Sequence, residues 1–274
     1  IGGDAEPWIR LSATLFQGAT TIIVFLIGRR LYDGSVGLAA AALYGLMPGI
    51  QLSALVAATD APLLFFLGLA VLAYAALLGE IDSRRKVPLA LALGVAMGLA
   101  FLSKYAAVYG LIGLAVHAAL SPDARRAWDL RTLATAALAM AAALAPNLAW
   151  NAANGFATLQ HTAANAAWSG VQLFNLAEAG MFLLSQFGVF GPIPLGVLIA
   201  GAGLAIARRR LAPADLMLLC FTLPPLLIVT AQAFISRANA NWSGAAYLTG
   251  AILAAAWLIR WRARGWLVGA LALQ

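Results

Sequence analysis

Apolar residues in this chain fall in long runs separated by short polar breaks. They show neither the alternation of half-buried strands nor the narrow stripe of a surface helix. The runs cover about 11–28, 36–57, 61–79, 88–119, 132–149, 178–207, 213–235 and 244–259, and a last one begins at Gly265. Three are interrupted: 36–57 by Pro48 and Gly49, 88–119 by Ser103–Lys104–Tyr105, and 178–207 by Gly188, Gly191, Pro192 and Pro194. Such lengths approach the ~20 residues that carry a helix across a bilayer. In lipid a helix satisfies its own backbone, whereas an open strand edge does not. The pattern therefore predicts an all-α, polytopic transmembrane bundle of about ten spans or part-spans, forming one transmembrane domain over 1–274. The long segment 150–177 alone is not uniformly apolar.

Composition agrees. Hydrophobic residues make up 63% and charged residues 10%, against about 25% charged in soluble domains, and mean hydropathy is +0.90. A soluble globule, a disordered segment and a disulfide scaffold are excluded. The single cysteine, Cys220, forms no intrachain disulfide. Ile1 is not Met and Gln274 stops inside an apolar run, so the chain reads as an internal fragment of a longer protein.

The net charge of +7 is spread as loop clusters rather than as a nucleic-acid surface. Assigning alternate loops to one side places 14 of the 17 Lys and Arg there: 29, 30, 84–86, 125, 126, 131, 208–210, 260, 262 and 264. Arg10, Lys104 and Arg237 remain on the other. By the positive-inside rule the first side is cytoplasmic. No repeat of fixed period is visible. Gly94 and Gly98 form a GxxxG that signals helix packing.

Ionisable groups on the non-cytoplasmic side are few: Asp4, Glu6, Arg10, Asp60, Lys104, His161, Glu178 and Arg237. Charges near a membrane interior are costly and tend to face a cavity. Asp60 precedes an apolar run in Thr59–Asp60–Ala61–Pro62, which suits an N-cap or a carboxylate at a cavity mouth. Lys104 fits a lysine snorkelling to the interface or a point charge for a lipid phosphate. The segment 150–177 carries Trp150, Asn151, Asn154, Gln160, His161, Asn165, Trp168, Gln172 and Asn175. It reads as an interfacial helix or as a carbohydrate-facing surface. Arg237, Asn239, Asn241 and Trp242 form a second polar patch, in which Asn241–Trp242–Ser243 matches a glycosylation sequon. With two histidines, His117 and His161, no metal-ligand spacing appears.

The order of these landmarks resembles the polyprenyl-phosphate-sugar-dependent membrane glycosyltransferases of the GT-C fold. That family includes bacterial relatives of the protein O-mannosyltransferases and of the aminoarabinose lipid A transferase. The matching pieces are IRLSATLFQGATTIIVFLIGRRLYDGSVGLAAAALYGLMP (9–48), ATDAPLLFFLGLAVLAYAALL (58–78), GVAMGLAFLSKYAAVYGLIGL (94–114), PNLAWNAANGFATLQH (146–161), FGPIPLGVLI (190–199) and RANANWSGAAY (237–247). The resemblance implies a bacterial inner-membrane enzyme whose site faces the periplasm. It implies a polyprenyl-phosphate sugar donor and an acceptor that is lipid A, protein or polysaccharide, with no nucleic-acid partner.

By the same resemblance Asp60 matches a catalytic-site Asp at the start of a helix facing the cavity. Lys104 matches a lysine near the donor phosphate, while Arg237, Asn241 and Trp242 match a later loop on the cavity side. His161 joins the substrate-binding candidates. The family's catalytic base lies in the first extracytoplasmic loop, which this reading places upstream of Ile1; Asp4 and Glu6 fall at that loop's far end. No cofactor is evident, and a divalent metal, used by some relatives of the fold, stays open. The rival function is a secondary transporter or lipid flippase, suggested by broken helices; a third is a non-catalytic scaffold of the same fold.

Overall fold

A computed structural model describes residues 6–166, 174–208 and 211–274. Among them there are fourteen α-helices and no strand. They are α1 (Glu6–Leu31), α2 (Gly34–Leu46), α3 (Pro48–Ala54), α4 (Asp60–Leu78), α5 (Ser83–Ser103), α6 (Val108–Leu120) and α7 (Pro122–Arg126). After these come α8 (Leu130–Ala153), α9 (Ala157–Ala166), α10 (Leu176–Val189), α11 (Pro192–Arg208), α12 (Pro213–Ile235), α13 (Gly244–Arg260) and α14 (Arg264–Ala272). Two 3-10 turns, Tyr105–Ala107 and Ala240–Ser243, lead into α6 and α13.

Six helices are long and apolar enough to cross a membrane, and eight spans result if each of two bent pairs counts as one. The expectation of about ten is therefore a little high. The two shortfalls are Tyr105–Leu120, which at 1.5 Å per residue covers only about 24 Å, and α14, a helix of 9 residues. Neither matches the ~30 Å of a hydrocarbon core.

Both bends sit where the sequence breaks the helix ladder. Met47 is forced out of helical geometry (φ −53°, ψ 127°) because the ring of Pro48 crowds the preceding residue, and α2 and α3 diverge by 62°. Between α10 and α11 the chain turns by 115° through Gly191 at φ +92°, a left-handed value that glycine adopts without steric cost. Helices starting at the cation-rich ends carry acidic or hydroxyl caps. Asp33 accepts from the Val36 amide and Asp82 from that of Arg84. Ser121 accepts from Ala124, and Asp129 forms a reciprocal capping box with Thr132.

α13 is the hub. In its apolar stretch 78% of residues are buried, against 6% in α8. It packs on α12, α2 and α11, and more lightly on α1 and α4. Its small residues allow this approach, and the Trp257 ring fills the space where a Gly201 side chain would stand. α8 lies at the periphery against α5. There Gly94 and Gly98 sit so close to Ala136, Ala139 and Ala143 that no Cβ fits without displacement. The GxxxG thus packs two helices, as the sequence suggested.

A buried polar node ties the cation-rich end together. The Asp215 side chain is 3% exposed. It accepts from Arg260 Nη1 at 2.5 Å and Nη2 at 2.9 Å, from Trp257 Nε1 at 2.9 Å and from the Tyr32 hydroxyl at 2.7 Å. Burial and the neighbouring Asp215 charge push the Tyr32 phenol upward. His117 is a satisfied core histidine, its Nδ1 2.8 Å from the Tyr74 hydroxyl.

Candidate active site

Three helix ends converge opposite that node. Asp60 opens α4, Lys104 closes α5, and Asn241 lies in the turn that opens α13. Lys104 adopts an extended conformation (φ −163°, ψ 138°), which stops α5 and frees its side chain to reach across to α4. Its ammonium meets Asp60 Oδ1 at 2.7 Å. The amide of Asn241 donates to Asp60 Oδ2 at 3.1 Å.

This geometry decides between the two roles open to Asp60. Thr59, not Asp60, is the cap of α4, and it makes no side-chain capping bond. Both carboxylate oxygens of Asp60 are held by side chains distant in sequence. Its negative charge in the first turn still suits the positive end of the α4 dipole. Lys104 does not snorkel outward but closes an ion pair. Side-chain exposures of 30% for Lys104 and 20% for Asp60 leave the pair reachable by a ligand yet partly shielded from water.

Beside Asp60 lies a cavity of about 340 Å³ walled by α2–α3, α4 and the start of α13. Met47, Ile50, Val56, Leu63, Leu64 and Tyr247 make its lining mostly apolar, with Asp60, Asn241 and Ser53 as polar points. Trp242 also lines it. Lys104 is not itself a lining residue and meets the chamber through Asp60, the charged residue of the lining. An apolar chamber with this ion pair at its edge accommodates an amphipathic molecule with a polar head. Pocket polarity of this kind fixes orientation, while apolar walls supply contact.

Second-layer bonds hold the walls. The Tyr44 hydroxyl donates to Gln17 Oε1 at 3.0 Å, Gln17 Nε2 donates to Ser53 Oγ at 3.0 Å, and Thr14 Oγ1 donates to the Ala54 carbonyl at 2.9 Å. These bonds brace α3 on α1. Gln186, buried in α10, accepts from Ser243 and Tyr247 at 2.7 Å each. Neither Gln17 nor Gln186 stood out in the sequence. The signal was a lone glutamine inside an apolar run, a polar group that burial obliges to find partners.

Other candidates stand apart. Arg237 is exposed beyond the end of α12, its carbonyl accepting from Gln232 Nε2 at 3.2 Å, and the Asp60 cluster forms without it. His161 is exposed on α9 and bonds Asn165 at 3.1 Å. Asn151 is a buried clamp whose side-chain oxygen accepts from the Thr158 amide and hydroxyl. It fixes the α8–α9 turn, where Gly155 and Phe156 are left-handed. Asp4, Trp168 and Gln172 lie outside the described residues. Within the sequon Asn241–Trp242–Ser243, Asn241 is exposed with its amide donating to Asp60, and Ser243 is buried. Among the described residues no group of three or more His, Cys, Asp or Glu is placed to hold a metal ion.

Comparison with known proteins gives the family and the fold. The chain is 36% identical over 258 residues to the lipid A galacturonosyltransferase RgtD of Rhizobium johnstonii, covering 94% of this chain and 53% of RgtD. The crystal structure of ArnT from Cupriavidus metallidurans in the apo state superposes with a TM-score of 0.70 at 18% identity, over 94% of this chain and 46% of ArnT. That likeness shows the fold, the GT-C bundle expected from the sequence. The chain spans about half the length of the relatives it matches. Residues 1–150 match the model of the dolichyl-phosphate-mannose-protein mannosyltransferase family, and the chain belongs to that family.

Proposed function

We propose that the protein carrying this chain is a membrane glycosyltransferase. It moves a sugar from a polyprenyl-phosphate carrier to an acceptor at the periplasmic face of a bacterial inner membrane. The observation that carries this reading is the Asp60–Lys104–Asn241 cluster: Asp60 and Asn241 line an apolar cavity, and Lys104 is held against Asp60 beside it. A long isoprenoid chain needs apolar walls, and its phosphate needs a cation at the end of them. The name of RgtD favours lipid A as acceptor and a uronic acid as the sugar. The periplasmic orientation rests on the 14-to-3 division of Lys and Arg.

The reaction is a single displacement. The acceptor hydroxyl oxygen attacks the anomeric carbon while the bond from that carbon to the phosphate oxygen breaks. The electron pair leaves with the phosphate, and the hydroxyl proton passes to a carboxylate base. Lys104 offsets the negative charge growing on the departing phosphate, a preorganised electrostatic role. Asp60 aims Lys104 and keeps the site near neutrality until the carrier arrives; Asn241 holds the second Asp60 oxygen. Arg237 and His161 remain candidates for the acceptor side, with Trp242 along the cavity wall.

The test is Lys104→Ala in the full-length protein, assayed with a polyprenyl-phosphate sugar. The expected result is loss of transfer together with weakened carrier binding. Wild-type turnover would sink the phosphate role.

A further inference from the structure

Asn241 reaches Asp60 from a four-residue 3-10 turn, Ala240–Ser243, which has no side-chain cap of its own. Such a turn is weakly stable in isolation. Within it the Trp242 amide donates to the Asn239 carbonyl at 3.0 Å, and Trp242 packs against Ala179, Phe182, Val229 and Ala233. The side chain that bonds both of its ends comes from another helix. Gln186 of α10 is 1% exposed. Its nitrogen donates to the Ala240 carbonyl at 3.3 Å, and its oxygen accepts from Ser243 Oγ at 2.7 Å. Ala240 and Ser243 are the two ends of the turn, with Asn241 and Trp242 between them. The same oxygen takes the Tyr247 hydroxyl at 2.7 Å, and the Tyr247 ring stacks on Phe190 with centroids 4.3 Å apart. The nitrogen shares its two hydrogens between Ala240 and two nearer acceptors of its own helix, the Phe182 carbonyl and Ser185 Oγ, each at 3.0 Å.

We infer that Gln186 is a positioning residue of the candidate active site, gripping both ends of the 240–243 turn so that the Asn241 amide stays on Asp60. The role rests on the glycosyltransferase reading above. It adds to that reading a residue that touches neither substrate nor the Asp60–Lys104 pair. When the grip is lost, Asn241 drifts from Asp60 Oδ2. Both carboxylate oxygens then turn to Lys104, and the ammonium is withdrawn from the carrier phosphate. The defect therefore appears in donor KM more than in kcat.

A double-mutant cycle in the full-length protein tests this. Gln186→Leu and Asn241→Leu should each raise donor KM about tenfold, and the double variant should be no worse than either, because both remove one coupling. An additive increase, about a hundredfold, would overturn the inference. Gln186→Glu guards against a folding defect. A protonated carboxyl can still donate to Ala240, whereas an ionised one repels that carbonyl. Its kcat/KM should therefore fall from about pH 5.5 to about pH 8 more steeply than the wild type. Parallel profiles would count against the inference.

A third readout needs no activity. Asn239 is exposed beside the turn, and Cys220 is buried. Thiol labelling of Asn239→Cys, measured against the protein lacking that change, should accelerate several-fold when Gln186→Leu is added. If the wild type transfers no sugar, the glycosyltransferase reading fails. The labelling then decides the positioning role alone, and an unchanged rate would refute it.

Discussion

Lys104 and Asp60 lie 44 positions apart in sequence yet meet at 2.7 Å, and their contact joins the end of α5 to the start of α4. Both are partly exposed, so the pair is an electrostatic latch more than a stabilising bridge; exposed pairs contribute about 0–1 kcal/mol. Asp60→Asn should leave the fold intact and release the ammonium. Binding of a polyprenyl phosphate should hold or tighten, while kcat falls at least about tenfold for want of an aimed Lys104. Calorimetric titration beside a transfer assay reads the two effects separately, and turnover at the wild-type level would remove Asp60 from the mechanism.

At the opposite end, Arg260→Ala strips the cation from a carboxylate that is 3% exposed. The Tyr32 hydroxyl and the Trp257 indole remain as donors, but neither carries charge. The Arg260 side chain is itself 46% exposed, so its loss lets water reach the carboxylate. With two neutral donors left, the cost is about 1–3 kcal/mol, as for a buried polar group that loses a partner. Thermal unfolding in detergent should show a clear drop. The double change Arg260→Ala with Asp215→Leu should recover part of it, since no charge is then stranded. No recovery would mean that Asp215 contributes through packing instead.

Asp60, Lys104 and Asn241 were legible in the sequence because each interrupts or flanks an apolar run, where a charge or an amide is costly unless used. The bends at Pro48 and Gly191 were legible for a related reason: proline and glycine mark the break themselves. What was hidden is which ends meet. Gln186 bonds Ser243 and Tyr247 across 57 and 61 positions, and Asp215 draws Tyr32 from 183 positions away; apolar patterning says nothing about which helices are neighbours. Arg260 illustrates the limit. In the sequence it is one more loop arginine, and in the fold it is the ion partner of a buried acid. Arg237 and His161 show the reverse, polar residues on the same side that the packing leaves outside the Asp60 cluster.

The α5–α8 seam depends on the absence of side chains. Gly94→Ala puts a methyl group against the Ala136 carbonyl, which is backbone and cannot rotate aside. Overpacking of this kind costs about 1–3 kcal/mol. Gly196 in α11 has open space where its Cβ would stand. Gly196→Ala should therefore be neutral or slightly stabilising, since alanine is favoured over glycine in a helix by about 1 kcal/mol. Melting temperatures of the two variants should move apart, and equal shifts would show that the seam tolerates a wider spacing.

Asp129 gives α8 a pH-dependent start. The Thr132 amide donates to its carboxylate at 2.7 Å and the Thr132 hydroxyl at 3.0 Å, with Lys86 adding a favourable charge. These hydrogen bonds, the amide foremost, hold the carboxyl below its ordinary value of 3.8 in the folded chain. The sign follows from linkage: the unfolded chain takes up a proton first as pH falls. The cap's stabilisation is therefore complete above the unfolded value and is lost as pH drops through the lower folded one. Asp129→Asn keeps a side-chain oxygen for the cap but carries no titrating group. Between about pH 6 and about pH 3 the wild type should lose more thermal stability than this variant, and the two curves should converge at the acid end. Curves that stay parallel across that range would show that Asp129 does not set the entry of α8.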